Sequence, residues 1–251
     1  MAVILNIETS GRVCSVALTA EGMVLCHFEE YAGQNHAAVL SDFIKRCLDH
    51  LREHEMRLEA VAVSIGPGSY TGLRIGLSEA KGLAFALDIP LIGIPTLEIM
   101  AVQVMFGRDV DPDALLMPMM DARRMEVYTA IYDFGLQRLL RPSPFIIDLD
   151  LPLGGLGEII SAKSVTEDEA GEVMKKIADA PAVYIFGNGS DKAVAMTEGT
   201  NFRHIPGVEP MAVDMIALAD RAYRDKDFLD LAYSVPEYLK EFQASKPKPL
   251  V

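Results

Sequence analysis

The stretch GPGSYTGLRIGLSEAKGLAFAL, residues 66–87, decides how this chain is read. Three glycines and a proline close an apolar run, and a helix-like pattern follows at once. Such a turn either cradles a phosphate or launches a packing helix. The Walker pattern needs Gly-Lys-Ser/Thr, whereas Gly72 is followed by Leu73 and Arg74. The dinucleotide pattern GxGxxG also fails, because after Gly66 and Gly68 the third glycine, Gly72, falls one residue late. Free amides at a helix N-terminus still attract anions, so Gly66, Gly68 and Ser69 stand as a weak anion or nucleotide site. Beyond the loop, Gly72, Gly76, Ala80 and Ala84 recur every four residues, flanked by Leu73, Leu77, Leu83 and Leu87. That bare stripe lets another backbone come close. Periodicity leaves two readings open, packing inside its own domain or contact with another subunit. Only Arg74, Glu79 and Lys81 are charged, so the helix needs more than one partner surface.

Working outward, AVILNIET predicts a strand, and VCSVALTAEGMVLCHFEEY a hairpin turning at Ala20-Glu21-Gly22. A helix is expected from about Asn35, its candidate N-cap, to His54. Its apolar residues Leu40, Phe43, Ile44, Cys47, Leu48 and Leu51 fall at helical spacing. EAVAVSIGPG is a strand running into the quoted stretch, and IPLIGIPT and LEIMAVQVM give a further strand and helix. Three antiparallel strands, then strands alternating with helices, is the order of a ribonuclease-H-like α/β domain. A second, similar set begins near Asp113. ALLMPMMDARRMEVYTAIYDF holds two strands around a polar turn, and LQRLLRPSPFIIDL a third strand interrupted by Pro142 and Pro144. VTEDEAGEVMKKIADA is a helix with the capping box Thr166 and Glu169, and AVYIFGNGS a buried strand ending in a glycine turn. The expected architecture is therefore two α/β halves, residues 1–105 and 106–210. A last long helix at about 211–226 would pack back on the first half, and the Pro- and Lys-rich tail 244–251 is expected to be disordered.

Composition limits the function. Half of the residues are hydrophobic and 24% are charged, a globular balance. The formal charge of −13 argues against gripping a nucleic-acid backbone alone, since phosphate contacts need clustered Lys and Arg. No apolar run approaches membrane-spanning length. The start MAVILNIETS lacks the basic head and apolar core of a signal peptide, so a cytoplasmic location is expected. Cys14, Cys26 and Cys47 show no metal or redox spacing and read as reduced, packed thiols.

Two smaller patterns bear on chemistry. HLREH, His50 to His54, matches H-x-x-E-H with both imidazoles on one helical face, but no downstream ligand is identifiable. MDARRMEV places Asp121, Arg123 and Arg124 in a turn, either plain surface or a recognition site for carboxylate or phosphate.

Together, ILNIETS…CSVAL, GPGSYTGLRIGLSEAKGLA, MDARRMEVY and FGNG strongly resemble the TsaB family, in order over most of the chain. The resemblance implies the duplicated superfold of acetate and sugar kinases, heat-shock ATPases and actin. It implies a non-catalytic scaffold for TsaD, which transfers threonylcarbamoyl to the tRNA adenosine beside the anticodon. TsaD carries its metal on an HxxxH helix. Here His36 is followed four residues on by Leu40, so the second imidazole is missing and neither a metal nor a catalytic residue is expected.

The helix after GPGSYTG and the one beginning at NHAAVL would bundle with the same pair of TsaD, or with a second copy when TsaD is absent. Leu40, Phe43, Ile44, Cys47, Gly72, Leu73, Gly76, Leu77, Ala80 and Ala84 are the expected contact residues. TsaE is a further implied partner, tRNA is reached only through the complex, and no membrane is involved. No cofactor is implied as tightly bound, although ATP or ADP is admissible in the complex. Thr9 and Ser10 in NIETSGR lie where the superfold's kinases approach phosphate, but Glu8 replaces their usual Asp. A glycoprotease-type metallopeptidase and an ATP-dependent phosphotransferase are the rival readings.

Overall fold

The computed structural model describes residues 2–33, 35–148, 154–164 and 166–240. The expected tail 244–251 lies outside them. The first sheet is built from β1 (Ile4–Glu8), β2 (Cys14–Ala20), β3 (Met23–Glu30), β4 (Ala60–Gly66) and β5 (Leu91–Pro95) in the order β3-β2-β1-β4-β5. β1, β2 and β3 pair antiparallel, and β1, β4 and β5 parallel. The two-residue turn Glu21-Gly22 has positive φ at both positions, which matches the twist of the β2–β3 hairpin.

The second sheet repeats the scheme. β6 (Leu115–Asp121), β7 (Glu126–Tyr132), β8 (Arg138–Ile146), β9 (Val183–Phe186) and β10 (Phe202–Ile205) lie in the order β10-β9-β6-β7-β8. Each sheet thus has the ribonuclease-H-like order, and the duplicated superfold read from the sequence holds. β8 is continuous through Pro142 and Pro144, contrary to the expected interruption. It is an edge strand, and both prolines occupy alternate positions that share one hydrogen-bonding direction.

Among the described residues, six α-helices cover the sheets: α1 (His36–Glu53), α2 (Tyr70–Leu87), α3 (Thr96–Gly107), α4 (Gly154–Lys163), α5 (Glu167–Asp179) and α6 (Ile216–Asp225). α1 and α2 share a core with one face of the first sheet, including Leu40, Ile44, Cys47, Leu77, Ala80 and Ala84. α6 and the 3-10 segment Ala212–Met215 cover the other face, so the expected last helix is broken at its start. α5 begins as a capping box predicts, with Glu169 N donating to Thr166 Oγ1 at 3.1 Å. Asn35 occupies the N-cap position of α1 without a side-chain cap bond.

α3 is buried on most of its circumference. Ile99 and Val102 belong to the core of the first half, while Leu97, Met100, Ala101 and Val104 pack on Leu116, Met120, Tyr132 and Phe186 of the second. Glu98 adds ion pairs to Arg138 at 2.7 Å and Arg221 at 3.7 Å.

The glycine stripe of α2 faces inward against its own chain, the first of the two readings that periodicity leaves open. A Cβ on Gly72 would lie 2.1 Å from the backbone oxygen of Thr9, and one on Gly76 would lie 2.2 Å from Thr9 Oγ1. Thr9 Oγ1 donates to Gly72 O at 2.8 Å, so the close approach is also a hydrogen bond. Leu40, Ile44, Cys47, Leu73, Leu77, Ala80 and Ala84 are likewise buried, and Phe43 is half-buried on the same core. These side chains pack within the chain itself.

Beside this contact, Glu8 is wholly buried at the end of β1. It accepts from Ser10 N through Oε1, while Oε2 has no hydrogen-bond partner among the described residues. Burial pushes its carboxyl from the ordinary 4.5 up to about 7, against the lowering effect of its hydrogen bonds.

Two outcomes follow from this packing. Gly76→Leu is expected to destabilise the fold by about 3 kcal/mol or more, read from the urea midpoint, because the added side chain meets Thr9. The folded chain holds the Glu8 proton more tightly than the unfolded chain, so its contribution is complete below about pH 4.5 and is lost as pH rises to about 7. Glu8→Gln is expected to flatten that decline and raise stability at pH 8 by roughly 3 kcal/mol, on the scale of about 1.4 kcal/mol per pKa unit. Urea midpoints of both proteins at pH 5 and pH 8 measure the difference.

Candidate functional site

A cleft of about 1220 Å³ opens between the halves. The loop after β1 contributes Ser10, Gly11 and Arg12, and the loop into α2 contributes Pro67 to Thr71. The β6–β7 turn faces them with Asp121 to Glu126, and Asn188 comes from the turn after β9. The cleft therefore unites three segments noted separately in the sequence: NIETSGR, GPGSYTG and MDARRMEV.

Local chemistry fixes each wall. Ser69 caps α2 by accepting from Gly72 N at 3.2 Å, and Ser69 N donates to Ser10 O at 2.7 Å. Asn188 Oδ1 accepts from Asp121 N at 2.9 Å, which ties the FGNG turn to the end of β6. Gly187 has φ +104, and a Cβ there would fall 2.4 Å from Met119 O, so only glycine fits. Arg123 and Arg124 both adopt positive φ, an uncommon backbone state for side-chain-bearing residues. Asp121 Oδ1 accepts from Arg123 N at 2.7 Å and also meets Lys192.

The sequence-stated anion residues separate here. Thr9 is buried, with its hydroxyl committed to Gly72 O, and Gly66 is buried against Glu237 O, so neither lines the cleft. Ser10, Gly68 and Ser69 do line it. Asp121, Arg123 and Arg124, read as a recognition turn, form the opposite wall. Asp121 and Glu126 are engaged by Lys192 and Lys240, and Arg12, Arg123 and Arg124 stand outside any ion pair of the described residues.

A strap missed in the sequence crosses the cleft. After α6 the chain runs along the first half, with Leu229 N donating to Leu91 O and Glu237 N to Ile65 O, at 2.8 and 2.7 Å. Lys81 Nζ donates to Ser234 O at 2.7 Å. The Tyr238 ring packs tilted against Tyr70 with centroids 5.0 Å apart, and its hydroxyl accepts from Arg74 Nε at 2.9 Å. Lys240 then pairs with Glu126 of the second half. Burial pushes the Glu237 carboxyl up, opposed by Arg138. This segment has no helical or alternating period, so only its contacts reveal it.

A second surface lies outside the cleft. Between α1 and α2, Ala37, Arg74, Ile75, Ser78 and Glu79 line a shallow hollow of about 520 Å³. Ser41 Oγ donates to Glu79 Oε1 across it at 2.9 Å. Ala38, Gly82 and Ala86 are exposed, and a Cβ on Gly82 would meet nothing within 4 Å. α2 thus carries small residues on its outer side as well.

Among the described residues the histidines do not assemble into a metal set. His36 Nε2 lies 3.3 Å from Gly11 O, and Leu40 is in the core. His50 and His54 stack with centroids 4.1 Å apart, and His54 Nδ1 lies 2.9 Å from His50 O. The described residues contain no group of three or more His, Cys, Asp or Glu placed to hold a metal ion. No helix among them is long and apolar enough to cross a membrane.

A family described as TsaD: tRNA N6-adenosine threonylcarbamoyltransferase matches residues 29–143. The chain is 37% identical over 131 residues to the tRNA threonylcarbamoyladenosine biosynthesis protein TsaB of Bacillus subtilis, covering 52% of this chain and 55% of that protein. With the Escherichia coli protein of the same name it is 37% identical over 129 residues, covering 51% and 54%. The chain spans about half the length of these curated relatives. YeaZ from Pseudomonas aeruginosa superposes with a TM-score of 0.70 at 25% identity, over 95% of this chain and all of that one. Another Pseudomonas aeruginosa structure, described as similar to peptidase YeaZ, gives 0.72 at 25% identity over 96% of this chain. In its ordered motifs, over about half of its sequence, and in its duplicated sheets, over nearly all of its fold, the chain is similar to TsaB and YeaZ proteins.

Proposed function

We propose that this chain is a non-catalytic subunit in tRNA threonylcarbamoyladenosine synthesis, and that it holds a TsaD-type transferase through the outer face of α1 and α2. The observation that carries this reading is the shape of that face. Its exposed small residues Ala37, Ala38, Ser78, Gly82 and Ala86 allow close backbone approach, and Asp42, Lys45, Arg74 and Glu79 frame them with charge. The curated relatives named above are biosynthesis proteins of this modification, which sets the pathway of the proposal. Leu40 supports the absence of transfer chemistry, because the position for a second imidazole on α1 is filled by a core side chain. The net charge of −13 fits a subunit that leaves tRNA contact to others. A TsaE-type ATPase and a second copy of this chain are further partners on this reading.

A phosphate-bearing ligand in the cleft is a second reading. Arg12, Arg123 and Arg124 favour it, since these cations face the cleft without ion pairs among the described residues.

The docking face is tested by Ser78→Arg and Gly82→Leu, placed where neither meets the core. Each is expected to weaken co-elution with a TsaD-type partner at least ~10-fold, about 1.4 kcal/mol, while the far-UV spectrum and urea midpoint stay unchanged. Undiminished association of both folded variants would remove this face from the proposal.

A further inference from the structure

Two of the three free cysteines meet across the first half of the molecule. Cys26 Sγ and Cys47 Sγ lie 3.7 Å apart, in contact but unbonded. Cys26 lies on β3, the edge strand, and is half-buried, whereas Cys47 is buried on the inner face of α1. Cys26 is paired in register with Leu18, and both sulfurs sit against the core that contains Leu18. Neither thiol takes part in the cleft or the docking face. Cys14 belongs to the same core but sits four residues along β2 from Leu18. At about 3.3 Å per residue it is ~13 Å from the pair, beyond reach of a disulfide.

We propose that Cys26 and Cys47 form a reversible dithiol–disulfide modification site whose oxidant is a small-molecule disulfide. Closing the bond requires the sulfurs to approach by roughly 1.7 Å, to the ~2.05 Å of a disulfide. The edge position of β3 allows that shift, since among the described residues one side of the strand has no neighbour in the sheet. Cys26 reacts first, because it is the half-exposed member. Its thiol gives its proton to solvent, and the thiolate attacks one sulfur of the oxidant. The oxidant's S–S bond breaks, and its other half leaves as a thiolate that takes up a proton. Cys47 then loses its proton and attacks Cys26 Sγ in the mixed disulfide. That S–S bond breaks, and the second half of the oxidant leaves as a thiol. The two protein thiols lose two electrons and two protons in all, and the small disulfide becomes two thiols. Burial pushes the Cys47 thiol well above its ordinary range, so it is not the thiol that attacks the oxidant first.

The test is incubation of the folded full chain with oxidised glutathione, followed by acid quenching, alkylation and peptide mass mapping. The expected product links Cys26 to Cys47 within one chain, leaves Cys14 alkylated only after unfolding, and is reversed by dithiothreitol. Cys47→Ser is expected to stop at a glutathione adduct on Cys26, and Cys26→Ser to leave Cys47 unmodified, with circular dichroism showing both folded. A wild-type chain that stays reduced, that keeps glutathione on Cys26 without the internal link, or that pairs through Cys14 would overturn the proposal.

Discussion

The arrangement of the whole molecule depends on α3 being buried against two sheets at once. One side of this helix completes the first core through Ile99 and Val102, and the other enters the second through Leu97, Met100 and Val104. A helix apolar on nearly every side has no stable position at a surface, and two duplicated halves supply the two faces it needs. Glu98 pins the same junction by pairing with Arg138 and Arg221, from β8 and α6. The cleft follows from this wedge. The loops after β1 and β6 project from equivalent strands of the two sheets and meet across it.

α2 carries a related double demand. Its inner glycines let the helix settle on Thr9 closely enough for backbone and hydroxyl to bond, which anchors the loop after β1. Its outer side is also small at Ser78, Gly82 and Ala86, so the same helix is fitted to close approach on two sides. The strap from Leu229 to Lys240 adds a third set of contacts through Lys81 and Arg74, and continues to Glu126 of the second half.

Much of the fold was legible because its signals are local. The hairpin turn at Glu21-Gly22, the capping box at Thr166 and the apolar period of α1 each report a backbone preference within a few residues. β8 was misread at its prolines because an edge position is a property of the sheet and not of the segment. β10 and α4 were not read at all, being four and ten residues long with little period of their own. The site was legible as three motifs, but their meeting in one cleft was not. Thr9 and Gly66 lie in those motifs and still fall outside the cleft, because packing on α2 and on the strap takes them first.

By itself the sequence determined the duplicated α/β class, the glycine turn ahead of α2, the absence of a second histidine at Leu40 and the family likeness. Each of these is set by residue type and spacing along the chain. Only the tertiary structure decided which side of α2 is inside. A stripe at four-residue spacing marks a face without naming its neighbour, and Gly72 and Gly76 have Thr9 against them while Gly82 has open space. Nor could spacing bring Cys26 to Cys47 or Tyr238 to Tyr70, since those contacts join segments far apart in the chain. Periodicity is a local property of the backbone, whereas the partner of a face depends on how all the other elements close around it.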